Sequence, residues 1–304
     1  MTKMIKTGLA LAALVAVAPG AMLGGVRNMA KDDDKKDVAK KGTSAVGSAL
    51  DFGADVGAGM EGADKDSYAI PFLRVLQSTS PQVNEANGAY IEGAKPGMIL
   101  NTATRKVYDG KKGVILLPCA FQRRFIRWAP RGSDQGYKGE YLPSEVDAME
   151  ESGMAVRHEG PLYALDELGE TPHEKKTDRL NDTRSHFCIL EDDDGHSQAL
   201  LALASTQIKK SKQLMSLLSA AKVETANGKV TPPTWMNKIR MTTVHESNDE
   251  GDWYGVMFVG EGFIETQDLY DAGKHFYEAV SEGKAKADHN ADEGASDKPS
   301  GGKF

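Results

Sequence analysis

HFCILEDDDGHSQALLALA, residues 186–204, sets two apolar runs on either side of an Asp-Asp-Asp-Gly turn. Each run has strand length rather than helix length, and Asp193–Gly195 supplies turn chemistry, so the stretch reads as a β-hairpin. Outward from it, similar short runs recur: Ile70–Gln77, Gly97–Asn101, Gly113–Trp128, Lys238–Val244 and Trp253–Val259. Asn87-Gly88, Asp109-Gly110, Asn227-Gly228 and Asn248–Gly251 punctuate them as turns. Two helices are expected. Ser211–Ala221 places Leu214, Leu217, Leu218 and Ala221 on one face, and Thr266–Glu282 does the same with Leu269, Phe276 and Val280. The chain is therefore mostly β with a few helices, of the α+β class. No repeat of 20 to 50 residues is visible.

This packable part, residues 67–282, reads as a single β-rich domain, and its flanks differ from it. Residues 29–66 are rich in Lys, Asp, Gly and Ala and read as a disordered arm; residues 283–304 read as a disordered tail whose one bulky residue is Phe304. Residues 1–28 allow two readings. Lys3 and Lys6, the apolar run Gly8–Ala18 and the small residues up to Met22 have the order of a secretory signal, which would export the protein. Alternatively translation starts at Met29, with Gly24-Gly25 the trace of an upstream ribosome-binding sequence, and the protein is cytoplasmic in its host. The run is too short to span a bilayer as a helix, so a membrane protein is not expected. Cys119 and Cys188 each sit in an apolar run and read as buried free thiols.

Signatures of catalysis are missing. There is no Walker loop, no Gly-x-Gly-x-x-Gly after a strand, no Gly-x-Ser-x-Gly and no His-Glu-x-x-His, and the seven histidines are scattered singly. The acidic run Glu191–Asp194 has the oxygens a divalent cation would want, as in a metal-dependent nuclease, but it lies at a hairpin tip where a solvated turn is the simpler account. No catalytic residue, metal ligand or cofactor is assigned, and a binding protein rather than an enzyme is expected.

Charge is unevenly spread. The whole chain carries 37 basic and 44 acidic side chains, a net of −7. Lys95–Lys138 holds ten basic against two acidic residues, or +8, whereas Glu140–Asp194 holds five against sixteen, or −11. Segregation of this kind permits a local field. Inside the basic stretch, Phe121-Gln-Arg-Arg-Phe-Ile-Arg-Trp128 continues a strand. A period of two puts Phe121, Arg123, Phe125 and Arg127 on one face and Gln122, Arg124, Ile126 and Trp128 on the other. Rings alternating with guanidiniums suit the stacking and phosphate pairing of single-stranded nucleic acid. The expected nucleic-acid surface is Phe121, Arg123, Arg124, Phe125, Arg127, Arg131 and Lys138, with Ile126 and Trp128 turned inward. Lys209, Lys210 and Lys212 extend it, and Trp235, Lys238 and Arg240 form a weaker third patch.

The runs IPFLRVLQSTSPQV, GAKPGMILNTATRKVYDG and ILLPCAFQRRFIRWAPRG, at residues 70–83, 93–110 and 115–132, resemble single-stranded DNA-binding proteins from the replication modules of tailed bacteriophages. The resemblance implies an OB-like, partly open β-barrel with insertions, and a cleft lined by Lys, Arg and aromatic side chains that coats or anneals single-stranded DNA. It further implies a C-terminal tail that contacts replication proteins, with Phe304 as the partner-binding residue. This sequence departs from that pattern in one respect: Gly283–Phe304 has four lysines against four carboxylates, where an acidic tail is expected. The rival reading from the first 28 residues is an exported or virion structural protein. Homo-oligomerisation is left open.

Overall fold

The structure is a computed structural model that describes residues 70–130, 133, 135–249 and 251–289. The signal-like segment, the arm at 29–66, Arg131 and Phe304 lie outside the described residues.

The hairpin forms as expected. Strand β8 (Asp178–Asp192) and β9 (Gly195–Ala204) pair antiparallel with Asp192 opposite Gly195, which leaves a two-residue turn. Lys106 bonds both Asp192 (2.9 Å) and Asp194 (2.5 Å), and Lys238 meets Glu191 at 2.8 Å, so the acidic tip is neutralised locally. Among the described residues no three His, Cys, Asp or Glu side chains converge as a metal site.

Strand β4 (Val114–Trp128) lies beside β8 for its whole length. Its first half is apolar without alternation because both faces are covered. Val114 and Leu116 enter one core with Leu190, Leu201, Met241 and Phe258, while Leu117 and Cys119 enter another with Phe187, Ile189 and Phe276. A bulge between Pro118 and Ala120 accommodates Cys119. Cys119 and its strand neighbour Cys188 belong to these two different cores, on opposite sides of the sheet, and both are free thiols.

A second hairpin, β12 (Asn237–Asn248) and β13 (Gly251–Phe263), joins β4 through Ile239–Met241. Strands β13, β12, β4, β8 and β9 curl into a half-barrel, the partly open form expected. Helix α2 (Ile208–Ala220) plugs it with Leu214 and Leu218, and α3 (Gln267–Ser281) packs Phe276 and Val280 on its outer side. Burying each such side chain contributes roughly 1.5–3 kcal/mol. Neither helix, nor any other among the described residues, is long and apolar enough to cross a membrane.

The small sheet of β1 (Leu73–Val75), β2 (Ile99–Asn101) and β3 (Val107–Tyr108) stands between the two edges of the half-barrel. Phe72 bridges Leu200 of β9, and the Gln77 amide bonds the backbone of Tyr254 on β13 at both ends, donating to its carbonyl (2.9 Å) and accepting from its N–H (2.8 Å). Gln207 accepts from the N–H of Val256 at 3.1 Å. Two glutamine side chains thus stand in for a missing strand along the β13 edge. A short hairpin, β10 (Val223–Thr225) and β11 (Gly228–Val230), follows α2.

Two features depart from the expectations. The second half of β4 and first half of β8 project as a wing, completed by β5 (Tyr137–Tyr141), α1 (Pro143–Glu151), β6 (Ala155–Arg157) and β7 (Leu162–Ala164). The segment just after Gly283 is also not a free tail. Ala285 and Ala287 pack on the α3 core, and His289, 3% exposed, stacks on Tyr137 and touches Phe72 and Trp128.

Candidate nucleic-acid interface

The period-two register of β4 holds through the wing, but the face chosen for the ligand is covered. Phe125 is 5% exposed and packs with Val146 of α1 and with Leu162, Ala164 and Leu180. It is core, not a stacking platform, because α1 closes over that face. Ile126 is buried on the opposite face as expected, and Trp128 is half-buried against Tyr137 and His289.

The cations of this stretch are largely committed. Arg123 forks onto Asp182 (2.7 Å) and lies over the Phe125 ring. Arg127 reaches Asp178 (2.6 Å) and Asp166 (3.0 Å), and Lys138 meets the same buried Asp178 at 2.9 Å. Burial pushes the Asp182 carboxyl up, but hydrogen bonds from Arg123 and Arg184 outweigh it and leave the group below its ordinary value. Lys210 is held by Glu246 at 2.6 Å, Lys238 by Glu191, and Arg240 by Glu261. The +8 and −11 blocks are therefore not separate fields. Antiparallel pairing lays the basic half of β4 on the half of β8 that carries Asp178 and Asp182, and Arg123, Arg127, Lys138 and Lys210 leave the candidate surface.

Phe121, Arg124, Lys209 and Lys212 remain; Phe121 and Arg124 lie at a break in the sheet, and the two lysines lie on α2, whose Met215 lines it. On the side of β4 away from β8, β12 covers residues 114–116 and β5 covers 125–128. Between them no described strand pairs, and one side-chain bond enters the gap, from Thr234 Oγ1 to the Cys119 carbonyl at 3.2 Å. A groove of about 360 Å³ lies here, lined by Phe121, Gln122, His186, Met215, Thr234 and Tyr277 among others. Phe121, Met215 and Tyr277 are 38%, 37% and 41% exposed. Tyr277 is stacked on Trp235 with centroids 5.1 Å apart. That stack depends on Gly273 of α3, where an added Cβ would come within 2.7 Å of Trp235.

Under the groove His186, 1% exposed, bonds Ser211 of α2 at 2.8 Å and touches the Phe121 ring at 5.1 Å. Burial, and then Arg184, push its pKa down to about 4, so it is neutral at pH 7. Steps of three residues along α2 place Lys209, Lys212 and Met215 on one ridge leading to the groove. Arg124 stands two residues beyond Gln122 on the same face of β4 and bonds only the Arg123 carbonyl, at 3.1 Å. Arg124, Lys209 and Lys212 have no carboxylate partner among the described residues. Tyr277 and Met215 escaped the sequence reading. A signal for Tyr277 exists, since it stands beside the Leu269, Phe276 and Val280 stripe rather than on it.

Residues 39–286 match the model of a family described as Pam3 phage gp34-like protein, and the chain belongs to that family of phage proteins. No curated protein and no solved structure matches it.

Proposed function

We propose that this phage protein binds single-stranded DNA without turning it over, along the groove at the broken edge of β4. The rings of Phe121 and Tyr277 stack bases, while Arg124 at one end and Lys209 and Lys212 at the other neutralise phosphates. The observation that carries the reading is that exposed rings and cations without a carboxylate partner occur on the same elements; elsewhere on β4 Phe125 is core, Trp128 is half-buried, and Arg123 and Arg127 are bonded to carboxylates. Stacking is tolerant of sequence because every base has a π-face, so coating or annealing of strands follows more readily than recognition of one site.

Anisotropy of a labelled oligo-dT tests this. Binding is expected at ~50 mM salt and to weaken steeply as salt rises. Phe121→Ala and Tyr277→Ala should each lose ~1–3 kcal/mol. Lys212→Glu should flatten the salt slope by about one, while Arg123→Gln leaves it unchanged because Arg123 already serves Asp182. An oligonucleotide that does not bind at ~50 mM salt rejects the proposal.

A further inference from the structure

The floor of the groove is a strand edge, and the direction of its backbone follows from the register of the sheet. Opposite residues of an antiparallel pair point their N–H and C=O groups either at each other or both away. Leu200 of β9 donates its N–H to the Pro71 carbonyl at 2.8 Å, so it points away from β8. Its cross-strand partner Phe187 therefore points toward β4, where it meets Ala120. The next position alternates, and Phe121, opposite His186, turns its N–H and C=O away from β8 into the gap between β12 and β5. Neither group has a hydrogen-bond partner among the described residues. The neighbouring positions on this edge offer less. Pro118 has no N–H, the Cys119 carbonyl is taken by Thr234 at 3.2 Å, and the Arg123 carbonyl is taken by the Arg124 guanidinium at 3.1 Å.

Among the described residues of the gap, Phe121 thus presents a complete main-chain pair, donor beside acceptor, in a slot walled by Met215 of α2 and Tyr277 of α3. A peptide strand that adds to a sheet needs such pairs repeated at every second residue, whereas a single pair fits a single planar group. We infer that the main chain of Phe121 binds the Watson–Crick edge of one unpaired base. Each base carries a donor beside an acceptor on that edge, and thymine offers its N3–H to the Phe121 carbonyl and a ring carbonyl to the Phe121 N–H. The inference rests on the nucleic-acid reading proposed above and adds to it a selectivity that stacking lacks. The Watson–Crick edge is free in a single strand and occupied in a duplex, so this contact admits the one and refuses the other. It is indifferent to sequence, because a main-chain pair accepts any base that turns its donor and acceptor the right way.

Competition anisotropy on the full chain tests it with probes of one length: oligo-dT, the same oligomer built from N3-methylthymidine, and the dA·dT duplex. Methylation at N3 removes the donor and sets a methyl group against the Phe121 carbonyl, while the phosphates and the π-face stay in place. The methylated strand should bind about tenfold more weakly than oligo-dT with the same salt slope, and the duplex should also bind about tenfold more weakly. Phe121→Ala should weaken both single strands and keep the ratio between them, because it removes the ring and leaves the main chain. Equal binding of oligo-dT and its methylated form overturns the inference and leaves the stacking groove standing, and so does a duplex that binds as well as the single strand. Failure of oligo-dT itself to bind at ~50 mM salt removes the groove reading and this inference with it.

Discussion

Strands β4 and β8 are paired from end to end, yet the two halves of the pair are held by different forces. From Val114 to Cys119, opposite Phe187–Glu191, the strands bury apolar side chains on both faces. From Phe121 to Trp128, opposite Arg179–His186, the same two strands match guanidiniums to carboxylates. The first half depends on area removed from water, and the second on charges remaining charged. An arginine-rich strand is thus no evidence of a polyanion site until the neighbouring strand's acids have been counted.

The comparison breaks most visibly at Phe187, which is fully buried and packs edge-on against Phe276. Phe187→Ala should cost about 3–5 kcal/mol, read as a lower denaturant midpoint with an unchanged slope. The wing should respond less. Asp178→Asn leaves Arg127 and Lys138 without their shared carboxylate, at a cost of roughly 3 kcal/mol. Limited proteolysis should locate the loosening between residues 129 and 177 rather than in the barrel. A loss under ~0.5 kcal/mol would mean that the cluster behaves as surface charge and that the contrast between the halves is false.

Acid sharpens the contrast in an unexpected direction. His186 has a folded pKa of about 4, below the unfolded value near 6.5, so the unfolded chain takes up the proton first. Stability present above pH ~6.5 is then lost as the pH falls to ~4, by roughly 2–3 kcal/mol. Asp182 is depressed below its ordinary carboxylate value, so its contribution is intact above pH ~4 and is lost only below it. The buried histidine at the boundary between the halves should therefore feel acid before the ion pairs of the wing do. Urea midpoints followed from pH 7 to pH 4 should fall for the native chain and stay flat for His186→Gln.

What could be read from the sequence follows the same division. The run Gly113–Trp128, the Asp193–Gly195 turn and the helices around Leu214 and Phe276 are local patterns, and each appears within a few residues of its expected place. The early part of β8 has no apolar period in DRLNDTRS; it is a strand through its pairing with β4, across which Arg123 and Arg127 reach diagonally to Asp182 and Asp178. Those partners are 59 and 51 residues apart, beyond the reach of any local signal. Phe125 was misjudged for the same reason, since α1 covers it from a segment with a weak apolar pattern. The placement of Phe121 and Arg124 at a gap between two edge partners is likewise a property of the sheet.

The two cysteines stand on adjacent strands but face opposite sides of the sheet. A disulfide needs Cβ atoms ~3.5–4.5 Å apart and turned toward each other, and the sheet between them forbids it. Burial also pushes the Cys119 thiol up to about 12 and Cys188 well above its ordinary value, so little thiolate is available to an oxidant at neutral pH. The folded domain is consequently indifferent to redox potential. It can be made in a reducing cytoplasm or carried into an oxidising space with the same core, and thiol chemistry places no constraint on which of the two its first residues select.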